Sequence, residues 1–74
     1  MTADELQQEI DTLASHILFI YQGKECGVDP FSHHEYDMWY GENAVTVTSI
    51  DAVMNTPIFE GKTLREISED IEIL

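Results

Sequence analysis

Basic residues are almost missing from this 74-residue chain: Lys24, Lys62 and Arg65 stand against 15 aspartates and glutamates, for a formal net charge of -12. Three cations cannot neutralise many phosphates, so the composition excludes a basic patch for direct nucleic-acid binding, and electrostatic docking to anionic lipid goes with it. Cysteine is nearly as scarce. Cys26 stands alone, which rules out an intrachain disulfide and leaves no Cys-x-x-Cys pair for a structural zinc site. Long apolar runs are lacking too, since no stretch approaches the roughly 18 residues of a membrane-spanning helix. The opening "MTADELQQEIDTL" is acidic and polar where a secretory signal is basic and then apolar, so a cytoplasmic protein is expected.

What is present is enough apolar material for a fold. The apolar fraction of 43 % is that of an ordinary globular protein, so the charge excess does not imply disorder. Residues 1-74 suffice for a single small acidic domain, one that buries only roughly 60 % of the surface its unfolded chain exposes. The acidic excess costs folding energy through self-repulsion, while it favours solubility and steered association with basic surfaces.

The order of elements predicted is α-β-β-α-α, an α+β domain with an N-terminal amphipathic helix packed on a two-stranded antiparallel hairpin and two short helices after it. Thr2 and Glu5 have capping-box spacing, and Leu6, Ile10, Leu13, Ile17 and Ile20 recur at steps of four and three, which makes one helical stripe ending near Gly23. Glu5, Glu9 and Asp11 fall on the outer face of that helix. Phe19 lies on its far side, covered by another element or forming a subunit contact, so homo-oligomerisation through the Phe19 end is one expectation. Residues 22-33 carry Gly23, Gly27, Asp29 and Pro30 and read as a structured connection.

Alternation then takes over. Tyr36, Met38 and Tyr40 share one face of an extended strand and Glu35, Asp37 and Trp39 the other; across "GEN", Val45 and Val47 supply a second strand. Ser49 caps "IDAVMN", which Pro57 ends, and Thr63 with Glu66 repeats the capping box before "LREISEDIEIL". Leu64, Ile67, Ile71 and Leu74 make the stripe of that last helix, with Glu66, Glu69 and Asp70 facing away.

The candidate sites cluster in "FSHHEYDMWY". His33, His34, Asp37 and Cys26 supply enough donors for a metal, yet in an extended chain His33 and His34 point to opposite faces and one ion cannot easily take both. The bland reading is a polar strand start. Cys26 with either histidine is the only Cys/His pair from which a nucleophile and base could be drawn, and paired carboxylates discriminate nothing in so acidic a chain. The segment "EGKT" lacks the upstream glycine of a phosphate-binding loop and reads as a turn followed by a helix cap. No enzyme and no cofactor are expected.

Trp39 is more informative. If Tyr36, Met38 and Tyr40 face the helix, Trp39 sits on the opposite face beside Glu35 and Asp37, an aromatic ringed by acids and suited to an arginine- or lysine-rich partner; in the inverted register it is core. In size and charge balance the chain resembles small acidic phage and mobile-element proteins that block nucleic-acid enzymes, among them anti-restriction and anti-CRISPR inhibitors. That resemblance is one of composition and assigns no residue a role. Together these features point to a non-enzymatic acidic protein-binding module, in one form a nucleic-acid-mimicking inhibitor of a DNA- or RNA-binding protein. Its partner is a basic protein surface, met through Trp39, Glu35, Asp37 and Glu42 and through the helix acids Glu5, Glu9, Asp11, Glu66, Glu69 and Asp70. The alternative is a small metal-binding or homo-oligomeric regulatory protein using the His33/His34 region.

Overall fold

The first helix, α1 (Ala3–Asp11), begins at the expected capping box: Thr2 Oγ1 accepts the Glu5 amide at 3.2 Å and the Glu5 carboxylate accepts the Thr2 amide at 2.9 Å. Leu6 and Ile10 bury its apolar face. The computed structural model describes residues 2-12 and 16-74, so Leu13, expected on the same stripe, lies outside the described residues.

Beyond α1 the fold departs from the expected two-stranded hairpin. Five strands form one sheet, β1 (Ile17–Tyr21), β2 (Lys24–Ser32), β3 (Glu35–Tyr40), β4 (Asn43–Val47) and β5 (Glu72–Ile73), in the order β4-β3-β2-β1-β5 with every neighbouring pair antiparallel. "ILFIY" is thus a strand and not the end of a helix. Ile17 and Ile20 fit a helical stripe with Leu6 and Ile10, but four of the five residues of the run, all except Leu18, are β-branched or aromatic, which favours a pleated sheet buried on one face and partly covered on the other. Gly23 does not stop a helix; with Gln22 (φ 53°) and its own φ of 76° it makes the two-residue turn, positive in φ at both positions, that joins β1 to β2.

The expected connection over 22-33 is mostly β2. Pro30 is tolerated there because it lies beyond the last pairing with β1, at Ile17–Val28, and next to a register shift against β3. The expected pairing of 36-40 with the Val45 strand is present, with Tyr36 opposite Val47 and Met38 opposite Val45. It is one part of a wider sheet.

Two short helices follow, α2 (Ile50–Asn55) and α3 (Leu64–Ile67). Ser49 Oγ accepts the Ala52 amide at 3.0 Å and Thr63 forms the second capping box with Glu66, as the spacing predicts. Between them, Phe59 and Lys62 exchange two backbone hydrogen bonds of 3.1 Å around Glu60 and Gly61, both positive in φ. The last helix is shorter than expected. After α3 the chain turns and adds β5 to the edge of β1, where the Leu74 amide donates to the Leu18 carbonyl at 3.0 Å.

All three helices contribute to the core on one face of the sheet. Leu6, Ile10, Val53, Met54, Leu64 and Ile67 pack there with Phe19, Val28, Tyr36, Met38, Tyr40 and Phe59. Phe19 is fully buried, its ring centroid 5.8 Å from that of Phe59, which removes it from any subunit surface. Among the described residues no helix lies over the other face of the sheet, and this positions the site.

Candidate functional site

Residues directly opposite one another in an antiparallel sheet share a face. The pairings Leu18–Gly27, Gly27–Trp39 and Trp39–Ala44 therefore lay one row across four strands of the open face. In this row Leu18 is 38 % exposed, Trp39 is half-buried and Ala44 is exposed. The indole lies across the backbone of Gly27, where a Cβ would overlap its ring carbons. Gly27 thus serves a close approach, and Trp39 covers a strand glycine that would otherwise lie bare.

The next row is acidic. Asp29 pairs with Asp37, which pairs in turn with Thr46, and both aspartates are half-buried. Two carboxylates directly opposite, with Cα atoms about 5.5 Å apart in such a pair, repel and destabilise a sheet. Thr46 Oγ1 donates to Asp37 Oδ1 at 2.7 Å, and neither aspartate forms a salt bridge among the described residues. Asp29, Asp37, Trp39, Ala44 and Thr46 line one shallow open groove, and a second beside it runs between Glu25, Trp39 and Glu42. Trp39 is common to both grooves, with Asp29 and Asp37 on one side of it and Lys24, Glu25 and Glu42 on the other.

Only part of the expected partner set converges here. Glu35 and Asp37 share the face of Trp39, and Glu42 lies in the adjoining β3–β4 turn. The helix acids are elsewhere, in the layer on the far side of the sheet. Among them Glu5 and Glu66 are engaged as caps, where the backbone amides of Thr2 and Thr63 respectively hold each carboxylate below its usual range. Glu9, Glu69 and Asp70 are exposed. Asp11 meets His33, whose Nε2 lies 3.8 Å from its carboxylate and 3.2 Å from its carbonyl.

The metal and nucleophile sets do not assemble. Cys26 is buried on the core face, where burial pushes its thiol up, while Asp37 is on the open face and His33 and His34 occupy the exposed β2–β3 turn. Among the described residues no group of three or more His, Cys, Asp or Glu is placed to hold a metal ion, and no helix is long and apolar enough to cross a membrane.

Sequence reasoning missed Leu18, Gly27 and Asp29, because each joins the site only through β1 or β2. The signal available was the run "ILFIY" followed by the two residues Gln22-Gly23 and then alternating residues, which is hairpin spacing. Comparison of the chain with protein families, with curated proteins and with solved structures finds no match.

Proposed function

We propose that this chain is a non-enzymatic, cytoplasmic binding module whose open sheet face receives a basic protein surface. One observation carries the reading: two half-buried aspartates, Asp29 and Asp37, sit opposite each other beside a half-buried tryptophan on a face that no helix among the described residues covers. Such a pair lowers the stability of the free protein, and an arriving guanidinium or ammonium relieves it while stacking on the indole. The net charge of -12 steers the approach of a basic partner. A nucleic-acid-binding protein is the partner class that this field suits best, because its groove is built for regularly spaced anions, and occupying that groove would inhibit it.

The test is capture of partners by the wild type and by Trp39→Ala and Asp29→Asn/Asp37→Asn variants, at low and moderate salt, with duplex DNA as competitor. The expected result is a nucleic-acid-binding protein held by the wild type at low salt, displaced by DNA and by salt, and lost with both variants while their circular dichroism stays native. Undiminished capture by the folded variants would sink the proposal, as would unfolding of Trp39→Ala, which would make the indole a core residue.

A further inference from the structure

The two edges of the sheet are unlike. At one edge β5 is only two residues long and carries Glu72, a short charged strand of the kind that blocks further pairing. At the other, β4 reads "NAVTV", and no charged residue or proline occurs between Glu42 and Asp51. Natural sheets blunt an edge with charge, proline or a bulge, and β4 has none of these. Its backbone is also correctly phased. The loop joining β3 to β4 is Gly41-Glu42, with Gly41 at φ 59°, which makes Tyr40–Asn43 the hydrogen-bonded closing pair. By alternation Met38–Val45 and Tyr36–Val47 are bonded pairs too, so Ala44 and Thr46 turn their amide N–H and carbonyl away from β3. Both residues are exposed, and among the described residues nothing pairs with that side.

We infer that β4 takes up an extended segment of the partner as a sixth, antiparallel strand, with lysine or arginine at alternate positions of that segment. This deepens the proposed function and rests on it. The residues of the segment opposite Ala44 and Thr46 would exchange backbone hydrogen bonds with them and point their side chains to the open face. Ala44 is small, so a long cationic side chain opposite it can extend over β4 toward the near edge of the Trp39 indole, whose strand lies two spacings, about 9.6 Å, from the added one. The cation opposite Thr46 extends in the same way toward Asp37, the nearer of the two facing aspartates. A second copy of this chain is the less suitable occupant, because it would bring the same net charge of -12 to the same edge.

The probes are synthetic peptides of alternating lysine and threonine, somewhat longer than β4: one unmodified, one N-methylated at the lysine backbone amides and one at the threonine amides, all of equal charge. With the full chain, the unmodified and threonine-methylated peptides are expected to bind and to slow amide exchange at Ala44 and Thr46, leaving Val45 and Val47 unchanged. Lysine methylation removes the donors that face β4 and is expected to weaken binding about tenfold or more. Ala44→Pro, which loses an outward amide and no bond to β3, is expected to abolish that binding; the methylated peptides carry the test if this variant misfolds.

Equal binding of all three peptides, lost with Trp39→Ala but without protection of Ala44 or Thr46, overturns strand addition and leaves the face reading standing. Greater loss on threonine methylation overturns the register. Binding of none overturns both. Protection of Ala44 and Thr46 in the protein alone, rising with concentration alongside a doubled mass in light scattering, gives the edge to a second copy and overturns the inference.

Discussion

Tyr36, Met38 and Tyr40 of β3 are buried beneath the helices, whereas Glu35, Asp37 and Trp39, one residue out of phase on the same strand, lie on the face that no helix among the described residues covers. In the first set Tyr40 lies 6.1 Å from Phe59 and 6.3 Å from Tyr21 between ring centroids and its hydroxyl donates to Glu60 at 2.7 Å, while the buried Tyr36 hydroxyl has no hydrogen-bond partner among the described residues. The second sets two like charges opposite each other across β2 and β3 and spends its largest aromatic on covering a glycine. Natural sequences give up local consistency mainly where function asks for it. The difference between the faces therefore teaches that the core lies on one side of this sheet and the locally costly arrangement on the other, which is the face we propose for binding.

The comparison breaks most visibly on the packed side. Phe59→Ala, which empties the space between Phe19 and Tyr40, is expected to cost about 3–5 kcal/mol, enough to unfold much of so small a domain; thermal and urea denaturation would show it. A cost below that of Trp39→Ala would reverse the assignment of the two faces. Gly27→Ala tests how closely the open face is fitted. Its Cβ overlaps the indole, so the expected outcome is a loss of about 1–3 kcal/mol together with a red shift of Trp39 fluorescence as the ring is lifted into water.

Asp29→Asn sharpens the contrast, because its two readouts move in opposite directions. Removing one of the facing carboxylates is expected to raise stability by about 0.2–1 kcal/mol in chemical denaturation while weakening binding of the lysine–threonine peptide. A variant less stable than the wild type would show that the pair belongs to the fold. The smallest effect, nil at neutral pH and seen only in alkali, comes from titrating Tyr40. Burial, and then the hydrogen bond to Glu60, pushes its phenol up to about 12, so the folded state holds a proton that the unfolded chain releases near the ordinary value of 10.0. Stability from this group is complete below about pH 10 and is lost as the pH rises towards about 12. Denaturation midpoints that fall in this window for the wild type, and less for Tyr40→Phe, would verify the link.

The site was legible on β3 and illegible on its neighbours. The alternation of "EYDMWY" is enough to put Trp39 with Glu35 and Asp37 on one face, since successive strand residues point opposite ways. Nothing within that segment says that Asp29 will stand against Asp37 or that Gly27 will lie under the indole, because those are pairings between strands. The error over "ILFIY" had the same root. Ile17 and Ile20 satisfy a helical stripe as well as a strand, and only the partners supplied by β2 and β5 decide between them.

By itself the sequence determined what depends on a few neighbouring residues or on composition. The two capping boxes at Thr2 and Thr63, the cap at Ser49, the alternation of β3 and the acidic field all follow from spacing and charge, and all are local or additive. Tertiary structure decided the rest: the five-stranded order, the burial of Phe19, the opposed aspartates and the place of β4 at the edge of the sheet. Each depends on which distant segments hydrogen-bond to each other, and that choice is made by the burial of one shared core rather than by any segment alone.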